Sequence, residues 1–296
     1  ISPKNPQPQR MPLTELYAAT AKLEAAPVVY IFHIAHCGST LLARALDLRE
    51  SNLVCREPFA LRQLGALAAN GGGGDFDKQL QLARVMLGRR YKADGPVIVK
   101  ANVPVNFMIP ALMDKQSDAP AIFLHYGLED YMLAILRAQM HRGWVQHVSN
   151  ELGAGIEKLT GPRAGEESIA VMAARLWLTQ MLQFDQALAA YPNAKSLGAE
   201  DLFERPKAAI AAAFTHFGQT QSEATLDAIV ASDLFTRYSK DPRHQFDNAQ
   251  RVERRATLKI ELASELEEAR AWATARAGAL PARLAKPLLG EGPSLL

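Results

Sequence analysis

The chain has 296 residues, 48% of them hydrophobic and 22% charged, and 33 Lys and Arg against 31 Asp and Glu give a formal charge of +2. That length can bury a large core as one α/β domain or two small ones, and so even a charge balance gives no electrostatic reason to expect nucleic acid as a partner. No apolar run approaches the ~18 residues of a membrane span, and the opening Ile1-Ser-Pro-Lys-Asn-Pro-Gln-Pro lacks the apolar core of a secretion signal. The expectation is a cytoplasmic protein with no membrane partner, whose two cysteines, Cys37 and Cys55, are free thiols.

Residues 1–10 are polar and Pro-rich and read as a flexible arm. Residues 13–25 are expected to be helical, with Leu13, Leu16, Tyr17 and Leu23 near one face. Residues 28–34 are a continuous apolar, β-rich run, the mark of a strand buried on both faces. Leu41, Leu42, Ala45 and Leu46 then recur at helical spacing, so Ala35-His-Cys-Gly-Ser-Thr40 between them is a tight strand-to-helix turn. Residues 52–55 read as a short second strand and 60–69 as a helix. Asn70-Gly-Gly-Gly-Gly74 is a loop, after which Asp75 is placed to cap a helix running to about Tyr91. Residues 97–101 and 120–126 read as the third and fourth strands. A helix over 129–147 follows, with Met132, Ile135, Leu136 and Met140 inward, and another over 166–191. Residues 194–199 are a candidate fifth strand, and Pro206 suits the first turn of a helix that Gly218 ends. The last helix covers 255–277 and buries Leu258, Leu262, Leu266, Ala269 and Trp272.

Strands alternating with helices imply an α/β fold, a parallel sheet flanked by helices on both faces, in the manner of P-loop nucleotide-binding proteins. With no repeat and no long linker, residues 11–277 are expected to form a single domain, and the Pro- and Gly-rich residues 278–296 a mobile tail.

The turn after the first strand carries the chemistry. Gly38 can take a positive φ, and Ser39 and Thr40 offer hydroxyls as helix caps or as anion ligands. Free amides at a helix start favour phosphate or sulfate, so an anionic, nucleotide-like ligand is expected there. A cysteine phosphatase loop is rejected, because six residues separate Cys37 from Arg44 and the helix turns Arg44 away. A P-loop kinase would place a Lys in this turn to neutralise phosphates, and none is present. A zinc site from His33, His36 and Cys37 lacks a second His or Cys pair at ligand spacing.

The turn His36-Cys-Gly-Ser-Thr-Leu-Leu42, then Arg56-Glu-Pro58, then Lys100 at the end of a later strand together resemble the bacterial type of sulfotransferase. Gly198-Ala-Glu-Asp-Leu202 is similar to a segment before a late helix in that family, and Tyr238-Ser-Lys-Asp-Pro242 to its C-terminal cofactor loop. The resemblance runs from about residue 28 to 275. It implies that His36, Cys37, Gly38, Ser39 and Thr40 bind the phosphosulfate of 3′-phosphoadenosine 5′-phosphosulfate (PAPS), with no metal. It departs from the family in two places. His36 stands where the family has Lys or Arg, so its charge depends on pH. The Arg and Ser that hold the 3′-phosphate would fall on Tyr126 and Ala134, leaving Arg137, Arg237 and Lys240 as candidate replacements.

On that resemblance, turn amides stabilise the leaving phosphate and sulfuryl oxygens, while His36 and Lys100 add positive charge. Glu57 is the candidate general base, at the sheet edge where open α/β folds bind ligands. Each residue has a plainer reading too: Ser39 and Thr40 as caps, Glu57 as a solvated loop carboxylate, Lys100 as a lysine snorkelling from a strand end. Cys37 reads as a small buried thiol or one acidified by the helix dipole. The expected activity is sulfuryl transfer from PAPS to a hydroxyl or amine of a small-molecule or glycan acceptor. The alternatives are a catalytically degenerate relative that binds an anionic ligand or nucleotide, and a divergent P-loop kinase-like enzyme. Gly143-Trp-Val-Gln-His147 and the Gly71–Gly74 loop are candidate mobile walls for the acceptor.

Overall fold

Val29-Tyr-Ile-Phe-His33 becomes β1 because every side chain in it is buried, which only a strand covered on both faces allows. In the computed structural model, residues 10–48, 51–90, 95–236, 248–278 and 280–296 are described. The helix α1 (Leu13–Thr20) precedes β1, and α2 (Ser39–Ala45) follows it. The order continues with β2 (Leu53–Arg56), α3 (Phe59–Ala69), α4 (Phe76–Leu87), β3 (Val97–Lys100) and a 3-10 segment over Val103–Met108. After α5 (Ile109–Met113) come β4 (Ala121–His125), α6 (Leu128–Ile135), α7 (Gln139–Glu151), α8 (Gly153–Thr160), α9 (Ile169–Ala190) and β5 (Ala194–Gly198). The chain then runs through α10 (Ala199–Glu204), α11 (Pro206–His216), α12 (Glu223–Val230), α13 (Asn248–Glu261) and α14 (Ala263–Thr274).

The five strands are parallel in the order β2-β3-β1-β4-β5. Right-handed crossovers put the β1-to-β2 connection on one face and the connections that return across the sheet on the other. Both faces are thereby covered, as the sequence implies. Tyr30, Phe32 and Phe123 stack along one face at 5.3 and 5.1 Å and meet Phe184 of α9 at 4.9 Å. The chain leaves β1 toward β2 on one side and later builds β4 and β5 on the other. The carboxyl ends of β1, β3 and β4 therefore flank the crevice where such sheets bind ligands. No described helix is long and apolar enough to cross a membrane.

Several local expectations change. The helix expected over 129–147 is two helices, α6 and α7, separated by an extended Ala138. The Arg142 guanidinium donates to the Leu136 carbonyl at 3.0 Å and so satisfies the end of the first helix. Because the break resets the helical phase, Met140 points outward and is 78% exposed rather than inward. The last helix likewise divides at Leu262 into α13 and α14, and it begins at Asn248 rather than 255. Asp75 precedes α4 but does not cap it; its carboxylate accepts from Lys78 Nζ at 2.8 Å.

The expected mobile tail is instead packed. Ser196 of β5 donates its N–H to the Lys286 carbonyl at 3.0 Å and accepts from the Leu288 N–H at 2.7 Å. This pairing shields the sheet edge beyond β5. Lys286 Nζ caps the end of α9 through the Leu188 and Tyr191 carbonyls at 2.6 and 3.0 Å, and Leu295 is buried. Gly127 leaves room for the tail, since a Cβ there would collide with the Ser294 carbonyl oxygen. Of the expected N-terminal arm, only Arg10 lies within the described residues.

Candidate active site

Beyond β1 the chain turns through Ala35 and His36 at φ 70° and 52°, then Gly38 at 81°. A left-handed non-glycine residue costs about 1–3 kcal/mol and persists only where neighbours enforce it. Here the Ala35 N–H donates to His33 Nδ1 at 3.0 Å. The His33 carbonyl in turn accepts from Asn106 Nδ2 at 3.1 Å, which also donates to Gln180 Oε1 at 3.1 Å. Gly38 suits its φ of 81°, and a Cβ there would lie 2.9 Å from Phe203 Cζ. Left-handed residues in a tight turn aim successive amides into one concavity, the geometry of an anion cradle.

Helix α2 has Gly38 as its N-cap, which brings no side chain to the helix start, and Ser39 and Thr40 follow as its first two residues. Cys37 departs from the rest of the turn. Its side chain is fully buried, its Sγ donates to the Leu124 carbonyl at 3.7 Å, and burial pushes the thiol up to about 11. The thiol therefore faces the core, and only the backbone of Cys37 belongs to the turn.

Glu57 and Lys100 meet across the ends of β2 and β3. The two strands pair in register with Arg56 beside Lys100, and the Glu57 N–H donates to the Lys100 carbonyl at 2.8 Å. Lys100 Nζ forms an ion pair with Glu57 Oε1, and His33 Nε2 lies 3.7 Å from the same oxygen. The lysine side chain is 2% exposed, so it does not snorkel to solvent, whereas the Glu57 side chain is 47% exposed. Glu57 also sits at φ 51°, a strained position for a carboxylate residue.

One cleft of about 750 Å³ takes in His36, Gly38, Ser39, Thr40, Glu57, Lys100 and Arg137. Tyr126 and Ala134, the positions that the sequence resemblance would put at a 3′-phosphate, line it as well. Arg237 and Lys240 lie outside the described residues. The Gly71–Gly74 loop does not reach the cleft, while Trp144 does, from inside helix α7 rather than from a mobile segment.

Four arginines not anticipated from the sequence line the cleft: Arg62 of α3, and Arg251, Arg254 and Arg255, which enter it from α13. Glu200 of α10 anchors two of them. It accepts from Arg251 at 2.8 and 2.7 Å and from Arg255 at 2.5 Å, and Arg255 also pairs with Asp130. Arg251 lies 4.5 Å over the Phe203 ring. The readable signal was the spacing of three arginines within Arg251-Val-Glu-Arg-Arg255, which puts them on neighbouring positions of one helix.

No family model and no curated protein matches the chain. Among solved structures it is similar to a sulfotransferase domain from the Curacin biosynthetic pathway, with 15% sequence identity, 80% of this chain and 98% of that chain covered, and a TM-score of 0.48.

Proposed function

We propose that the chain is a sulfotransferase that moves a sulfuryl group from PAPS to a hydroxyl or amine of an acceptor by in-line displacement. The observation that carries this reading is the meeting of the left-handed turn at 35–38 with the Glu57–Lys100 pair in one cleft. An anion cradle alone would suit many ligands. A half-exposed carboxylate on a buried lysine beside that cradle suits group transfer to a protic acceptor.

The amides of Gly38, Ser39 and Thr40 and the two hydroxyls hold the phosphosulfate, and His36 and Lys100 supply charge to it. Lys100 is shared between Glu57 and the incoming anion. The acceptor oxygen attacks sulfur, and a new S–O bond forms as the S–O bond to the phosphate breaks. The leaving phosphate keeps the electron pair, and Glu57 takes the acceptor proton. Preorganised donors of this kind are usually the largest catalytic contribution. Arg137 and Arg254 take the place of the phosphate ligands absent at Tyr126 and Ala134.

Calorimetric titration with adenosine 3′,5′-bisphosphate, against adenosine 5′-phosphate, tests the donor assignment. The expected result is saturable binding that requires the 3′-phosphate and weakens at least about tenfold in Arg254→Ala, the loss of one charge-assisted contact. Tyr126 and Ala134 favour one competing reading, a binding module for a simpler anion. Equal binding of the two nucleotides would establish that reading instead.

A further inference from the structure

The two sides of the cleft differ in chemistry. On one side stand Arg137, Arg251, Arg254 and Arg255, carried by α13 and the segment after α6. The other is built by α3, the 3-10 segment and α7, and presents Val103, Pro104, Trp144 and Val148, with Met140 at its edge. Ala35, Val103 and Val148 share a small apolar cluster with Trp144 packed on it, so this side is continuous with the turn itself. Aromatic faces extend it: the His36 ring lies 4.2 Å from that of His141 and 6.1 Å from Trp144, the latter edge-on at 77°. Its one charged group, Arg62, is already held by both carboxylate oxygens of Glu151 at 2.9 and 2.6 Å. At its edge, Met140 stands 78% exposed.

We propose that this side is the acceptor subsite and that it takes a hydroxyl borne on an aromatic ring. The proposal rests on the donor reading above. A sugar bound here would set several hydroxyls against Val103, Pro104, Trp144 and Val148, and with Asn102 and His141 the nearby polar groups, most of them would lose hydrogen bonds to water without replacement. A flat aryl body instead stacks on Trp144 and the His36–His141 pair, the offset and edge-on contacts that aromatic groups favour. Proton transfer points the same way. A phenol, whose hydroxyl ionises near ~10, yields its proton to a carboxylate far more readily than an aliphatic hydroxyl near the ~15.7 of water. Charge sorting agrees. Arg251 and Arg255 are paired with Glu200 and Asp130, as Arg62 is with Glu151. Arg137 and Arg254 add positive charge on the α13 side for the nucleotide, and the aromatic side is left for the acceptor.

The test pairs binding with turnover, using 2-naphthol as the aryl probe and N-acetylglucosamine as the sugar probe. Saturable 2-naphthol binding by calorimetry is expected, weakened about tenfold or more in Trp144→Ala and restored in Trp144→Phe. Adenosine 3′,5′-bisphosphate binding should be unchanged in both variants, which also shows that they are folded. With PAPS present, sulfated naphthol should form and sulfated sugar should not. If the bisphosphate binds but 2-naphthol does not, or Trp144→Ala leaves naphthol binding intact, the aryl subsite is overturned and the donor reading stands. If naphthol binds through Trp144 while the bisphosphate does not bind, the aryl subsite stands and the donor reading falls.

Discussion

Lys100 and Arg175 are both buried cations neutralised by a glutamate, and their two pairs have opposite designs. Arg175 and Glu167 are 2% and 8% exposed at the side chain, and the guanidinium is saturated. It donates to Glu167, to Thr160 Oγ1 at 2.9 Å and to the Gly161 carbonyl at 2.7 Å, and it lies 5.0 Å over the Trp272 ring. Lys100 is equally buried, but Glu57 keeps 47% of its side-chain surface in the cleft and sits on a left-handed backbone. The first pair is closed on all sides and holds α8, α9 and α14 together. The second is open on one side, where a ligand can reach the carboxylate. A buried cation and a glutamate thus seal a packed site in one place and border an open cleft in the other, and exposure of the acid separates the two.

Parallel substitutions test that contrast. Glu57→Gln keeps an acceptor for Lys100 but cannot take a proton, so turnover with PAPS and an acceptor should fall about 10²–10⁴-fold. Bisphosphate affinity should change little, and the loss of urea stability should be smaller than in Glu167→Gln, since water reaches the Glu57 side chain. A large loss of affinity would make Glu57 structural. Glu167→Gln should do the reverse. Leaving Arg175 without its counter-charge in a sealed site should cost about 3–5 kcal/mol in urea unfolding, with unaltered turnover per folded molecule. Similar profiles for the two variants would erase the distinction.

A smaller effect comes from a buried titratable group outside both pairs. Burial pushes His125, at the end of β4, down to about 4. The folded state therefore resists protonation that the unfolded chain accepts near its ordinary value of ~6.5. The associated stability is complete above that value and is lost as pH falls toward about 4, to a total of about 3 kcal/mol. Urea midpoints measured from pH 7.5 down to 4 should decline accordingly, and His125→Gln should flatten that part of the slope. An unchanged slope in the variant would assign the decline to other groups.

Much of the sheet was legible in the sequence because a strand buried on both faces leaves an uninterrupted apolar run, as in β1, β3 and β4. The turn at 35–40 was legible for a related reason: a short polar stretch between such a run and a helical period has few ways to fold. Where local pattern misled, a distant partner was responsible. Nothing near residue 136 in the sequence announces that Arg142 will satisfy its carbonyl and split the helix. The tail reads as mobile because its Pro and Gly content hides the backbone pairing with Ser196 and the close approach to Gly127.

The sequence by itself determined the alternating α/β layout, the tight strand-to-helix turn at 35–40 and the presence of Glu57 and Lys100 at strand ends, since each depends on residues adjacent in the chain. Only the tertiary structure decided that Lys100 is buried against Glu57, that Cys37 faces the core and that α13 brings Arg251, Arg254 and Arg255 to residues more than a hundred positions earlier. Those facts depend on packing between segments far apart in sequence. Burial, which turns a strand-end lysine into a fixed charge and a turn cysteine into an inert thiol, is a property of the assembled core.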